Sequence, residues 1–198
     1  MDASTTQTVT MWAVVRFPSW PADECLWEFT PNQNTNAGSF SCFPGGGAGG
    51  NLPTAISRGN GTHYETAEWD QALLNDGKWH SLVVCYDKSQ VAGEQIDLWS
   101  DGVKRTPTAV GGSPWEFAEE FANDTLYLGG RGGASLFAAY HLAFLAVTFR
   151  RPSTGETKAF HLNPWGPEAK VIRRYKTPEG GEEATDRPKF LNLMGCGI

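Results

Sequence analysis

Apolar and polar positions alternate along this chain in short bursts, and turn-forming residues end nearly every one. The stretch "TVTMWAVVRF" (Thr8 to Phe17) is rich in β-branched and aromatic residues and stops at Pro18, so it predicts a strand. "CLWEFTP" and "SFSCFP" bracket the loop Asn32 to Gly38, "NQNTNAG", whose composition reverses a chain, and together they predict a hairpin. "THYETAEW" and "HSLVVCYD" each predict a strand, as does "TLYLGG", which Gly129 and Gly130 end. In "IDLWSDGVKR", Asp101-Gly102 favours the positive backbone angles of a tight turn, pairing Ile96 to Trp99 with Val103 to Thr106. The long apolar run Ser135 to Phe149 has a period that fits helix or strand; its preceding glycines and β-rich surroundings predict a buried strand with a bend. Helix signals are scarce: Ser153 and Glu156 have capping-box spacing, which predicts a short helical turn. The chain reads as all-β.

Composition sharpens this picture by exclusion. With 198 residues, 40% of them hydrophobic and 12% aromatic, the chain can bury a sizeable core. A formal net charge of −6 leaves no global positive field to gather phosphates, so nucleic acid is excluded as a partner. No run of about 18 apolar residues occurs, and the first ten residues have neither a cationic start nor an apolar stretch, so neither a membrane span nor an export signal is expected. The four cysteines, Cys25, Cys42, Cys85 and Cys196, have no CxxC spacing and are expected as free thiols in a reducing compartment. Cys25 and Cys42 flank the polar loop at similar distances, so a cross-strand disulfide is the alternative. "PGGGAGGNLP" (Pro44 to Pro53) lacks the strand-to-helix context of a phosphate cradle and is expected as a surface loop.

The order of these segments carries a resemblance. The initial "TVTMWAVV", then "DGKWHSLVVCYD" (Asp76 to Asp87), "IDLWSDGVK", "LYLGG" and "YHLAFLAVTFRRPST" together resemble the laminin G-like or concanavalin A-like family over about residues 7 to 165. The resemblance implies a two-sheet antiparallel jelly-roll sandwich over residues 1–165, in which the turn before Trp79 drives its indole into the core as a plug. Two departures follow. Only seven residues, mostly polar, precede Thr8 where the family has a further strand, so the first strand is expected to lack an edge partner. "NPW" (Asn163 to Trp165) resembles the ending of such domains in bacteriophage and prophage proteins, although Gly166-Pro167 interrupts the usual continuation; a Pro-Trp corner sealing the core is compatible with it.

Residues 166–198 are expected to form a C-terminal extension or docking arm. A basic block (Lys170, Arg173, Arg174, Lys176) precedes an acidic one (Glu179, Glu182, Glu183, Asp186), and an apolar end, "FLNLMGCGI", follows. Such an end suits strand addition to its own sheet or to a neighbouring subunit.

No catalytic residue is assigned. His80 has no partner at a recognisable spacing and is expected to pack or hydrogen-bond at a strand start. Glu65, Glu68, Glu94 and Asp97 do not reproduce the paired-carboxylate pattern of the glycoside hydrolases built on this fold. Relatives of this kind hold calcium or sugar at the loop rim. Asp70, Asn75, Asp76, Asn123 and Asp124 have oxygens suited to calcium, the one cofactor the resemblance brings, and Trp20, Trp69 and Trp115 lie beside expected loops. All of them also serve as turn formers, caps or core residues. The sequence therefore leads to two expectations: a non-enzymatic bacteriophage structural or decoration protein, assembled in the host cytoplasm into a virion through contacts with itself and other virion proteins; or a lectin-like module that binds glycan.

Overall fold

In a computed structural model of the protein, the described residues are 1–165 without 19–23, 31, 33–34, 45–53, 59–62, 71–72, 114–119 and 133–134, with the backbone alone at 54–58 and 113. The chain divides into two compact units, Met1–Gly166 and Pro167–Ile198. The expected arm, Cys196, Trp20, Trp115 and nearly all of the glycine-rich loop lie outside the described residues.

The strands are β1 (Thr8–Arg16), β2 (Trp27–Phe29), β3 (Phe40–Phe43), β4 (Thr54–Arg58), β5 (Tyr64–Glu68), β6 (Trp79–Asp87), β7 (Ile96–Ser100), β8 (Val103–Arg105), β9 (Ala109–Ser113), β10 (Leu126–Leu128) and β11 (His141–Thr148); the helix is α1 (Thr154–Leu162). They form two antiparallel sheets, ordered β11-β1-β6-β7-β8 and β10-β2-β3-β4-β5-β9. Among the described residues no helix is long and apolar enough to cross a membrane.

Strand parity explains how the sheets pack. Val9, Met11, Ala13 and Val15 of β1 and Leu82, Val84 and Tyr86 of β6 point between the sheets, against Trp27, Phe29, Phe40, Cys42 and Ala67 of the other layer. Burial of each large side chain there contributes about 1.5–3 kcal/mol. One hydrogen-bond chain crosses the gap: the Trp27 indole N–H donates to the Tyr86 hydroxyl (3.0 Å), which donates to the Ser41 carbonyl (2.8 Å). The alternate residues of the five-stranded sheet, Trp12, Val83, Cys85, Trp99 and Phe144, form a second cluster beneath Phe160 of α1. This sheet is covered on both faces, which is why β6 reads as nearly continuous apolar sequence.

The hairpin β2–β3, the β7–β8 turn with Asp101 and Gly102 at φ 54° and 74°, and the Ser153 capping box all match the sequence reading. Three expectations are corrected. Trp79 does not plug the core: it is 47% exposed, because its place in β6 shares the outward parity of Ser81 and Val83, and the core indoles are Trp27 and Trp69, each 1% exposed. The first strand does not lack a partner, since β1 lies between β11 and β6. The residues before it run along 121–124, with Ala3 N–H donating to Ala122 O and Phe121 N–H to Thr6 O, and Ala3 buried. The run Ser135–Phe149 is a strand only at His141–Thr148, and it is an edge strand in which Phe144 alone is buried, with the bend provided by a register shift at Val14/Val15. The free-thiol expectation holds for Cys25, Cys42 and Cys85, all buried, against the alternative of a Cys25–Cys42 disulfide. Cys42 faces Trp27 across the hairpin, which leaves Cys25 two positions past that pair. Burial pushes Cys42 and Cys85 up to about 12, so neither is a thiolate at neutral pH.

Candidate functional site

Three outward-facing residues line up across the end of the five-stranded sheet. Register pairs Arg16 of β1 with Trp79 of β6 on one side and with His141 of β11 on the other. The Arg16 guanidinium carbon lies 5.4 Å from the centroid of the Trp79 ring, and the Trp79 and His141 rings meet edge-on at 6.3 Å. A cation over an indole face is worth about 0.5–1 kcal/mol at such an exposed place, a few-fold bias toward this pairing. The next pair inward, Val14 with Phe144, belongs to the cluster under α1. There Trp165, half exposed, packs edge-on against Phe144 at 5.5 Å. The Asn-Pro-Trp corner thus closes on the outer cluster and not on the core between the sheets. Two exposed indoles and one guanidinium share this outer face.

Beside the row lies a polar clamp. His80 is buried with both ring nitrogens 2.9 Å from carboxylates, Nδ1 from Asp101 and Nε2 from Asp76. The Asp101 bond raises the His80 pKa against the opposing effect of burial, and Asp76 adds to it. Backbone donation from Lys78, with His80 and the Lys78 side chain, holds Asp76 well below the ordinary carboxylate range. The other Asp101 oxygen accepts from the Ser81 backbone N–H (3.1 Å). Ser81 Oγ and Asp101 Oδ1 both approach the same His161 nitrogen, Nδ1, at 3.0 and 3.7 Å. A relay from carboxylate through imidazole to hydroxyl uses opposite ring nitrogens, so this arrangement is a clamp between the β7–β8 turn, β6 and α1. The expectation that His80 hydrogen-bonds at a strand start holds; its two carboxylate partners come from the turn before it and from a hairpin 21 residues later.

The other residues named from sequence separate. Glu65 is buried and accepts from the backbone N–H groups of Gly93 and Gln95, and burial raises its pKa. Asp97 pairs with Lys104 and Arg151. Trp69 is a core residue whose indole N–H donates to Arg105 O. Asp76 belongs to the clamp, whereas Asn123 pairs with Asp2 and Asp124 receives the Met1 amino group on its carbonyl. Among the described residues, no three His, Cys, Asp or Glu side chains come together as a metal cage.

No protein-family model and no curated protein sequence matches the chain. Solved structures do match. The CBM40 of the Ruminococcus gnavus IT-sialidase bound to α2,3 sialyllactose aligns over 79% of this chain and 83% of its own, at 16% identity and a TM-score of 0.57. Domain 4 of AbnA, a GH43 extracellular arabinanase from Geobacillus stearothermophilus in complex with arabinotriose, aligns over 81% and 68%, at 13% identity and a TM-score of 0.51. The binding domain of botulinum neurotoxin DC in complex with rat synaptotagmin II aligns over 80% of this chain and 36% of that one, at 8% identity and a TM-score of 0.54.

The fold is a jelly-roll sandwich. These are binding modules and binding domains, and at such identities the likeness is one of fold. In this jelly roll the aromatic row was missed from sequence because a tryptophan within an apolar strand reads as core. The available signal was parity: Trp79 lies an even number of positions from Val83 and Cys85, and those are opposite in phase to Leu82, Val84 and Tyr86.

Proposed function

We propose that this jelly roll is a non-catalytic recognition module that binds carbohydrate on the outer end of its five-stranded sheet. The observation that carries this reading is the outer row Trp79–Arg16–His141, an indole with a guanidinium over its ring that keeps nearly half of its surface in water. Sugars present one apolar face of C–H groups and a polar rim, and a rigid aromatic plate with nearby donors complements both. The CBM40 and AbnA neighbours, whose structures hold sialyllactose and arabinotriose, support it. The His80 clamp serves as the scaffold that fixes β6 behind the plate.

The test is a glycan array probed with the full chain, with its Trp79→Ala variant, and with a calcium chelator. Binding of a defined set of glycans by the parent and its loss in Trp79→Ala is the expected outcome; chelator sensitivity would add calcium to the site. A parent chain that retains no glycan defeats this reading. The virion decoration role implied by the Asn163–Pro164–Trp165 ending is the second reading, and tight association with a shell protein without any sugar binding would select it.

A further inference from the structure

Arg16 differs from the other described arginines. Arg131 faces Glu28, Arg150 pairs with Glu156, Arg151 pairs with Asp87 and Asp97, and Arg105 donates to Ser100. Arg16 makes no ion pair and finds no acceptor among the described residues; its Nε is buried without a partner, as is that of Arg105, but Arg105 has Ser100 for its terminal nitrogen and Arg16 has none. That is notable in a chain with 22 acidic residues against 16 basic ones, where a carboxylate is the commoner neighbour for a stray cation. The buried Nε is out of a ligand's reach, but the terminal N–H groups of the same guanidinium also meet no acceptor among the described residues, which leaves them to water or to a ligand. Asp76, in the turn before Trp79, is engaged by His80 and Lys78.

A guanidinium held over an indole still has terminal N–H groups to offer a planar, bidentate acceptor. On the adjoining strand His141 adds a ring nitrogen to the same row. We propose that the row selects a carboxylate-bearing sugar, a sialate or a uronate, with the carboxylate on the Arg16 edge and the sugar ring on the exposed part of Trp79. The proposal rests on the carbohydrate-binding reading and narrows it. A carboxylate is favoured over a polysulfated chain because the row offers one guanidinium within a molecule of net charge −6, whereas a polyanion needs several cations.

Titration calorimetry with the full chain tests this using four probes: 3′-sialyllactose and trigalacturonate, each beside its neutral counterpart, lactose and methyl-esterified trigalacturonate. The expected result is at least ~10-fold tighter binding of one acidic probe than of its neutral partner, about what a single charge-assisted pair supplies. Arg16→Gln should remove that preference, Arg16→Lys should restore part of it through charge without the fork, and rising salt should weaken only the acidic probe. Equal affinity for acidic and neutral probes, or an acidic preference that survives Arg16→Gln, overturns the acidic-sugar proposal while leaving the general one standing. Glycans bound through some other surface, unaffected by Trp79→Ala, overturn both.

Discussion

A single residue's position in a strand decides whether its chemistry serves stability or recognition, and the two tryptophans Trp27 and Trp79 make the contrast measurable. Trp27 lies between the sheets with its N–H satisfied by Tyr86, so Trp27→Ala should cost about 3–5 kcal/mol by opening a cavity and leaving that hydroxyl without its donor. Trp79→Ala removes a half-exposed ring and one cation–π contact, so chemical denaturation should register a loss of about 1 kcal/mol or less. A large loss there would restore the plug. His80 gives a pH signature. Its pKa is raised in the fold, so its stabilisation is complete below the ordinary histidine value of about 6.5 and is lost as pH rises through the raised value. Asp76 and Asp101 are lowered, so theirs is complete above the ordinary Asp value near 3.9 and lost only in stronger acid. His80→Gln should therefore depress Tm most near pH 5.5 and least near pH 9, measured by thermal melts across that range. An equal depression at both ends would mean that the imidazolium form does not matter.

At the scale of elements, α1 is the piece whose existence depends most on its surroundings. Nine residues are too few to hold a helix alone in water, and two devices secure it. Ser153 accepts from the Glu156 N–H while Glu156 accepts from the Ser153 N–H. Phe160 packs edge-on to Trp12 at 5.3 Å and against Phe144 at 5.4 Å. Its last turn rests on the β7–β8 hairpin, where a side chain at Gly102 would meet His161 Cβ and Lys158 Cα at 3.2 Å. Ser153→Ala should cost about 1 kcal/mol with the helix retained. Phe160→Ala should release α1 altogether, seen as lost far-ultraviolet helix signal and a shift in Trp12 fluorescence as its cluster meets water. Retention of both signals would show that the capping box alone suffices. The same variant should weaken sugar binding, because α1 brings His161 onto Ser81 and Asp101 of the clamp that holds β6 behind Trp79.

At the scale of the whole molecule, local chemistry was legible and long-range pairing was not. The β7–β8 turn could be read because Asp101-Gly102 favours positive φ by itself, and the helix start because its cap is closed within four residues. The extent of β11 was not, since nothing in "SLFAAYHLAFLAVTF" says that only its second half pairs with β1 or that it lies at an edge. Nor could the carboxylates on His80 be read, because Asp101 reaches it only after β6 and β7 have paired. Turn propensity and alternation determined that this chain would be all-β with a capped helical turn after Ser153, because they act over a few neighbouring residues, while the two-sheet sandwich was implied by the family resemblance of the segment order. Only the tertiary structure decided that Trp79 faces water with Arg16 over its ring, because the face a side chain occupies depends on which distant strands supply the core and which surface the helix covers.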